Sequence, residues 1–429
     1  MKKKVKGMAK AIGCATAGLL LLLCVPQVHA ADDTRSELEQ LRFQMEQLMR
    51  QNRELGQRIN QMEKELERGT TAPPQVDARH QSVIEQEVAR QLAEKEEEGG
   101  FGLNKHIRLS GLFEGDFVAG KDAMDEDGAH TTEFDLATLE LYLDIMVTDW
   151  ATGRIVIERD ADSDDLRADE AYVTLGNVDK FPLFFSLGLL YVPFGDFSTH
   201  MLQDPFTQVL GETNDAGAVL GYSQFGLTAS VFAYNGMDEE DSDNDTINAY
   251  GAALSYGFED DNKTFNAGVA WISNIADSVE LSDYIHDALQ DAGQDPDYFP
   301  DEISAMAAYV NATWGPFGMI AEYVKALDDF DEFFANGSGG DLEPAALTTE
   351  LSYTTSFFDL ETVFALGYQQ SWDAGGFLPE HRYIGVVSFG IFEGTTLSFE
   401  YYYDEDYDTG DNGTDNNGHA FTTRVAYEF

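Results

Sequence analysis

Basic residues are scarce in this chain: 26 Lys and Arg stand against 78 Asp and Glu, a formal charge of −52. Such a polyanion repels nucleic acid, so no nucleic-acid partner is expected. Cysteine is missing after Cys24, which leaves an exported chain without disulfides to rely on. No apolar run reaches the roughly 20 residues that a membrane-spanning helix needs. Also absent are H-E-x-x-H, G-x-S-x-G and P-loop patterns, and the eight His are scattered singly. No metal centre, cofactor or enzymatic activity is therefore expected. A Ser-His or Asp-His pair assembled by the fold stays open as the alternative. What the chain does have is 43% hydrophobic and 12% aromatic residues with 39 Gly, too apolar for a disordered acidic tail.

The N-terminus carries Lys2, Lys3, Lys4, Lys6 and Lys10, an apolar run from Gly18 to Val25, and Val28-His29-Ala30. This reads as a secretory signal peptide over 1–30, cleaved after Ala30. A membrane anchor needs a longer run, and a lipoprotein site at Cys24 wants a small residue where Leu23 stands. From Leu38, apolar residues recur at alternating spacings of three and four: Leu38, Leu41, Met45, Leu48, Leu55, Ile59, Met62 and Leu66, with Asn52 in the seam. The spacing predicts an α-helical coiled coil over 31–68, and a seam Asn of this kind fixes register and oligomer state. A single amphipathic helix lying on a domain is the plainer alternative. Gly69 to Pro74 stops the helix, and 69–100 reads as a linker with a weak helical stretch.

From 101 to 429 the period changes to two. Leu109, Gly111, Phe113 and Phe117 alternate with Ser110, Leu112, Glu114 and Asp116; Leu139, Leu141, Leu143 and Ile145 alternate with Glu140, Tyr142 and Asp144. A soluble sandwich alternates too. The punctuation separates the two, because very short connections at 148–153, 177–180, 223–226, 259–262, 314–317, 356–359 and 392–394 take turns with long acidic ones, among them 236–246, 274–302, 328–344 and 404–418. Seven short and eight long connections predict sixteen strands, an all-β transmembrane barrel with short periplasmic turns and long outer loops. Trp314, Phe317, Phe357, Phe358 and Tyr401 to Tyr403 suit aromatic girdles, and the strand ending on Phe429 has the terminal aromatic usual in such barrels. Outer-membrane lipid and lipopolysaccharide are then the expected surroundings, with the coiled coil in the periplasm.

Strand parity assigns Arg108, Glu114, Asp116, Glu140, Asp144, Arg154, Glu158, Glu322, Glu361, Arg382, Glu400 and Arg424 to the lumen. Carboxylates exceed guanidiniums there, which favours cations unless cross-strand pairs cancel the charge. The third outer loop spans Val192 to Asn214. Pro193 and Gly195 would bend it inward, and Asp196, His200, Asp204 and Glu212 would line the narrowest region; an ordinary outer loop is the alternative. Asp404, Asp406 and Asp408 have calcium-loop spacing, yet Gly410 stands one place late and no bidentate Glu follows, so solvated charge bridged to lipopolysaccharide by divalent ions is favoured.

The segments D-E-A-Y-V-T-L-G-N (169–177), Y-V-P-F-G (191–195) and D-P-F-T-Q-V-L-G-E-T (204–213), with Asp149-Trp150 and the heptad N-terminus, resemble LbtU-type siderophore porins. The resemblance is strong over roughly 135–235 and architectural elsewhere. It implies uptake of a ferric siderophore through a sixteen-stranded barrel lacking a plug domain, independently of TonB. Against it stands a general cation-preferring diffusion porin, and a link from the coil to peptidoglycan is compatible with both. Ferric siderophores are often anionic and the lumen acidic, so either Arg108, Arg154, Arg382 and Arg424 gather into a ladder or the substrate is neutral or cationic. A homotrimer through the coiled coil follows by analogy with sixteen-stranded porins.

Overall fold

The computed structural model describes residues 106–124, 129–159, 166–236, 247–260, 262–291, 302–330 and 342–429. The expected signal peptide, coiled coil and linker lie outside the described residues, as does the acidic run 238–245. The strands are β1 Ile107–Lys121, β2 His130–Thr148, β3 Ala151–Arg159, β4 Leu166–Asn177, β5 Phe181–Tyr191, β6 Asn214–Gln224, β7 Leu227–Tyr234 and β8 Ala249–Asp260. They continue as β9 Lys263–Ile272, β10 Ala305–Trp314, β11 Phe317–Ala326, β12 Ala345–Phe357, β13 Leu360–Trp372, β14 His381–Phe392, β15 Thr395–Glu405 and β16 Asn417–Glu428. Among the described residues two α-helices interrupt the loops, α1 Phe206–Gly211 and α2 Val279–Asp291.

The sixteen described strands form one closed antiparallel barrel in sequence order, with β1 paired to β16. Closure removes both sheet edges, so every ladder group finds a partner without water. Gly111 N–H donates to the Phe429 carbonyl at 3.1 Å and Phe429 N–H returns to Gly111 at 3.2 Å, carrying the pairing to the final residue. Short turns join β2 to β3, β4 to β5 and so on to β14 and β15, all at one end, where the sequence punctuation places them. Their chemistry is that of tight hairpins. Phe225 (φ 57°) and Gly226 (φ 81°) both adopt positive φ, as the strand twist demands of a two-residue turn, and a Cβ on Gly226 would lie 2.2 Å from the Gly257 carbonyl.

Period two then sorts the side chains. Leu109, Phe113, Leu141, Val173, Leu187, Leu220, Val231, Leu254, Val269, Leu351, Leu366 and Val425 are exposed on the outer face. Phe225 at 89%, Phe358 at 84% and Phe392 at 76% exposure mark the turn end. In water each of these side chains would forgo about 1.5–3 kcal/mol of burial; in lipid that cost disappears, and the apolar band with its aromatic rim is that of a membrane barrel. No described helix is long and apolar enough to cross a membrane.

The inner face is not uniform. Parity predicted a polar lumen, yet the inward residues of β6 to β12 include buried Val219, Phe232, Ala270, Ala307, Val324 and Ala346. They form one apolar cluster with Phe194, Phe206, Leu210, Ile275, Leu281 and Ile285 from the loops 192–213 and 273–304. A smaller apolar cluster of Ala365 on β13 and Ile384 and Val386 on β14 packs against Met201 of the loop, and charged inward residues concentrate instead on β15, β16 and β1 to β4. The barrel therefore has a filled side and a charged side.

Candidate functional site: a loop pinned inside the barrel

The loop 192–213 turns into the lumen immediately after β5. Gly195 (φ 86°) and Phe197 (φ 56°) make the bend, and a Cβ at Gly195 would meet the Phe197 ring at 2.4 Å, so a larger residue would force the turn apart. Val192 N–H donates to the Thr213 carbonyl at 3.0 Å and closes the neck.

Beyond the bend the loop has few internal partners for its amides, and buried amides need acceptors. The barrel wall supplies them as carboxylates, each offering two oxygens to converging donors. Glu322 on β11 accepts from Asp196 N–H (2.8 Å), Phe197 N–H (3.0 Å) and the Thr207 hydroxyl (3.3 Å). Glu350 on β12 accepts from the Thr199 hydroxyl (2.5 Å) and His200 N–H (2.9 Å), with His200 Nδ1 3.3 Å away. Gln369 on β13 accepts from Phe206 N–H at 3.1 Å, and Glu400 on β15 from Leu202 N–H at 2.5 Å. The Asp196 carboxylate reaches back to the wall, accepting from Asn266 on β9 (3.0 Å) and Asn311 on β10 (2.5 Å). The loop thus crosses the lumen from β9 to β15.

This placement changes the work assigned to several residues. Glu322 and Glu400 have the inward parity expected, but at 3% and 1% exposure they lie beneath the loop as its anchors instead of facing open water. Asp196 and His200 likewise engage the wall. Asp204 and Glu212 differ. Both line a cavity of about 420 Å³ between the loop, α2 and the outer ends of β4 to β6, together with Asp169, Asp215, Asp277 and Arg167. Burial lifts Glu212 to about 7, opposed by the Gln208 amide at 3.1 Å.

Opposite the loop stands the charged wall. Arg424 on β16 forks onto Asp116 with two contacts of 2.8 Å and also reaches Glu114 at 3.0 Å. Arg154 on β3 lies 2.7 Å from Glu170 and 3.6 Å from Asp144, and packs 5.2 Å from the centre of the Tyr142 ring. Arg167 contacts Glu158 at 2.5 Å, while Glu140 is bonded by the Tyr142 hydroxyl. Arg108 pairs by register with Asp144 on β2, and Glu361 sits exposed near the turn end beside Ser356 and Gly390. Arg382 is taken up with Asp404 (two contacts of 2.9 Å) between the rings of Phe206 and Tyr402, 4.8 and 4.7 Å away. Arg154, Arg382 and Arg424 are thus each held by carboxylates, and no free basic ladder forms from them. Tyr402, expected in a lipid-side girdle, faces inward for this stack.

The expected calcium spacing is divided among other tasks. Asp404 belongs to β15 and pairs with Arg382, while Asp406 accepts from Thr414 N–H (2.7 Å) and hydroxyl (2.8 Å). Among the described residues no group of three or more potential metal ligands converges.

Glu350, Gln369, Asn266 and Asn311 were not singled out by sequence. Their only signal is polarity at inward positions, which many lumen residues share. Electrostatics at the loop supply a pH prediction. A carboxyl lifted to about 7 is ionised above that pH and neutral below it. Lowering pH from about 8 to about 5.5 should therefore remove negative charge beside the pinned loop and reduce cation preference, with a midpoint near neutrality. Reversal potentials measured across that range check this, and Glu212→Gln should flatten the step.

No family model matches the chain. A UPF0422 protein of Coxiella burnetii is 29% identical over 289 residues, 65% of this chain and 61% of that one. A UPF0422 protein of Legionella pneumophila (strain Lens) is 30% identical over 245 residues, covering 55% of this chain and 46% of that relative. The chain therefore spans about half to three fifths of the curated relatives it matches. Among solved structures, the anion-selective porin of Comamonas acidovorans aligns with a TM-score of 0.52 at 12% identity, covering 75% of this chain and 99% of that one. Pseudomonas putida OprB gives 0.51 at 11%, covering 76% and 95%. The outer-membrane channel DcaP of Acinetobacter baumannii gives 0.50 at 17%, covering 75% and 97%. The barrel has the fold of Gram-negative outer-membrane porins.

Proposed function

We propose that this protein is a passive outer-membrane diffusion channel that favours cationic and neutral solutes over anionic ones. The observation that carries the reading is the loop 192–213 pinned across the lumen, facing a wall on which carboxylates outnumber arginines. A loop held this way narrows the path, and an aqueous gap lined by excess carboxylate concentrates cations. Glu114, Asp116, Glu140, Asp144, Glu158 and Glu170, with Arg108, Arg154, Arg167 and Arg424, are the proposed wall. Asp204 and Glu212 are the proposed constriction charges. The selectivity named for the Comamonas porin does not transfer, since the fold alone is shared.

Within this class, the LbtU resemblance supports a ferric siderophore as the solute, and the charged wall restricts it to a neutral or positively charged chelate. The heptad with Asn52 supports homotrimeric association, with a periplasmic coil in reach of peptidoglycan. Permeation into proteoliposomes tests the solute class. Among ferric chelates of matched size the neutral and cationic ones should enter faster than the anionic, by about tenfold for one unit of charge in a narrow pore. Faster entry of the anionic chelate would overturn the reading.

A further inference from the structure

We propose that α2 is a second specificity-determining element of this channel: with loop 192–213 it forms one plug over the apolar inner face of β6 to β12, so that solute passes only along the wall of β16 and β1 to β4. The proposal rests on the channel reading and adds to it where the path runs and what sets its width.

Three independent observations carry it. The first is the wall. Inward positions on β9 to β12 hold alanines, with Ala270 at 7% exposure and Ala305, Ala307 and Ala346 at 3% or less. An alanine surface facing a water-filled lumen would be apolar and uncovered, but small side chains leave room for helices to lie against them. The second is what covers that wall. Leu281 and Ile285, one turn apart on α2, are fully buried in the same cluster as Leu210 of α1 and Phe194. Tyr284 packs against Phe377 of the loop 373–380 at 5.1 Å, bracing α2 from outside.

The third is the latch. A helix leaves its last carbonyls unpaired, and α1 has its C-terminal ones satisfied from the other loop. The Ser278 hydroxyl donates to the Leu210 carbonyl and Val279 N–H to the Glu212 carbonyl, both at 2.9 Å. Farther back, Ile275 N–H bonds the Ile303 carbonyl at 2.7 Å, closing the neck of α2's loop. The two loops are therefore one mechanical unit, and displacing α2 would expose α1 together with the alanine wall.

Cysteine accessibility tests this, because the only native cysteines are Cys14 and Cys24. Ala307→Cys probes the covered wall and Thr138→Cys the open one; each full-length variant is treated with a membrane-impermeant cationic methanethiosulfonate. Thr138→Cys should react and lower the conductance, while Ala307→Cys should be inert. Replacing 280–290 by a Gly/Ser linker should make Ala307→Cys reactive and raise conductance about two- to threefold, with the cation bias kept. Equal reactivity of the two cysteines in the otherwise intact chain would overturn the plug; should the linker variant fail to assemble, that pair decides alone. Thr138→Cys labelled, Ala307→Cys inert and no conductance from the intact protein would overturn the channel reading and leave the plug standing.

Discussion

Glu322→Ala should release the loop 192–213 from the β11 wall. The substitution strips acceptors from Asp196 N–H, Phe197 N–H and the Thr207 hydroxyl together. Hydrogen bonds to charged groups are worth about 1.5–3 kcal/mol each and the lost ones share a single carboxylate, so the docked loop should lose about 3–5 kcal/mol. That is a large part of what holds an irregular segment in place. The barrel ladder is untouched, so the effect should be local: rapid proteolysis within the loop, a larger and noisier open-channel current, and unchanged barrel assembly. Glu322→Gln keeps one acceptor oxygen at the same place and should show less than half the effect. Proteolysis and single-channel recording on the same preparations separate the two variants.

Arg382→Ala should act on the barrel itself. Its guanidinium is 13% exposed, its partner Asp404 4%, and the pair is packed between Phe206 and Tyr402. Removing one member of such a pair strands the other charge and typically costs about 3–5 kcal/mol. Here the stack on Phe206 is lost as well, so α1 should loosen. Arg382→Lys retains the charge without the planar fork and should recover only part of the loss. The contrast is Lys325→Ala, where the pair with Glu343 is 35% and 40% exposed and screening leaves about 0–1 kcal/mol. The temperature at which the heat-resistant folded band is lost in electrophoresis should thus fall clearly for Arg382→Ala and barely for Lys325→Ala.

The barrel was legible in the sequence because lipid enforces period two on one face, whatever the other face does. Leu109, Phe113, Leu141 and Val425 keep that beat, and residues such as Gly226 and Gly394, both at positive φ, mark the tight turns. The inward bend at Pro193 and Gly195 could be read for a similar reason, since backbone constraints are local. The filled half of the lumen was harder. In β7, Leu227–Tyr234, apolar residues occupy both parities, a sign that the inner side of this strand meets protein instead of water. Glu322 and Glu400 have the right parity for pore charge, and only contacts with residues far away in sequence show them to be anchors. Asp404 illustrates the same limit, because its neighbours Asp406 and Asp408 suggest a loop while its partner Arg382 lies across the hairpin. Local pattern gives the faces, and long-range pairing decides what each charge does.

The most direct test is single-channel recording of the full-length protein in a planar bilayer under a potassium chloride gradient. A steady conductance whose reversal potential has the sign of cation preference, weakening as pH falls through neutrality, is what the pinned loop and acidic wall predict. An anion-signed reversal potential, or no conductance from correctly folded barrels, would contradict the account.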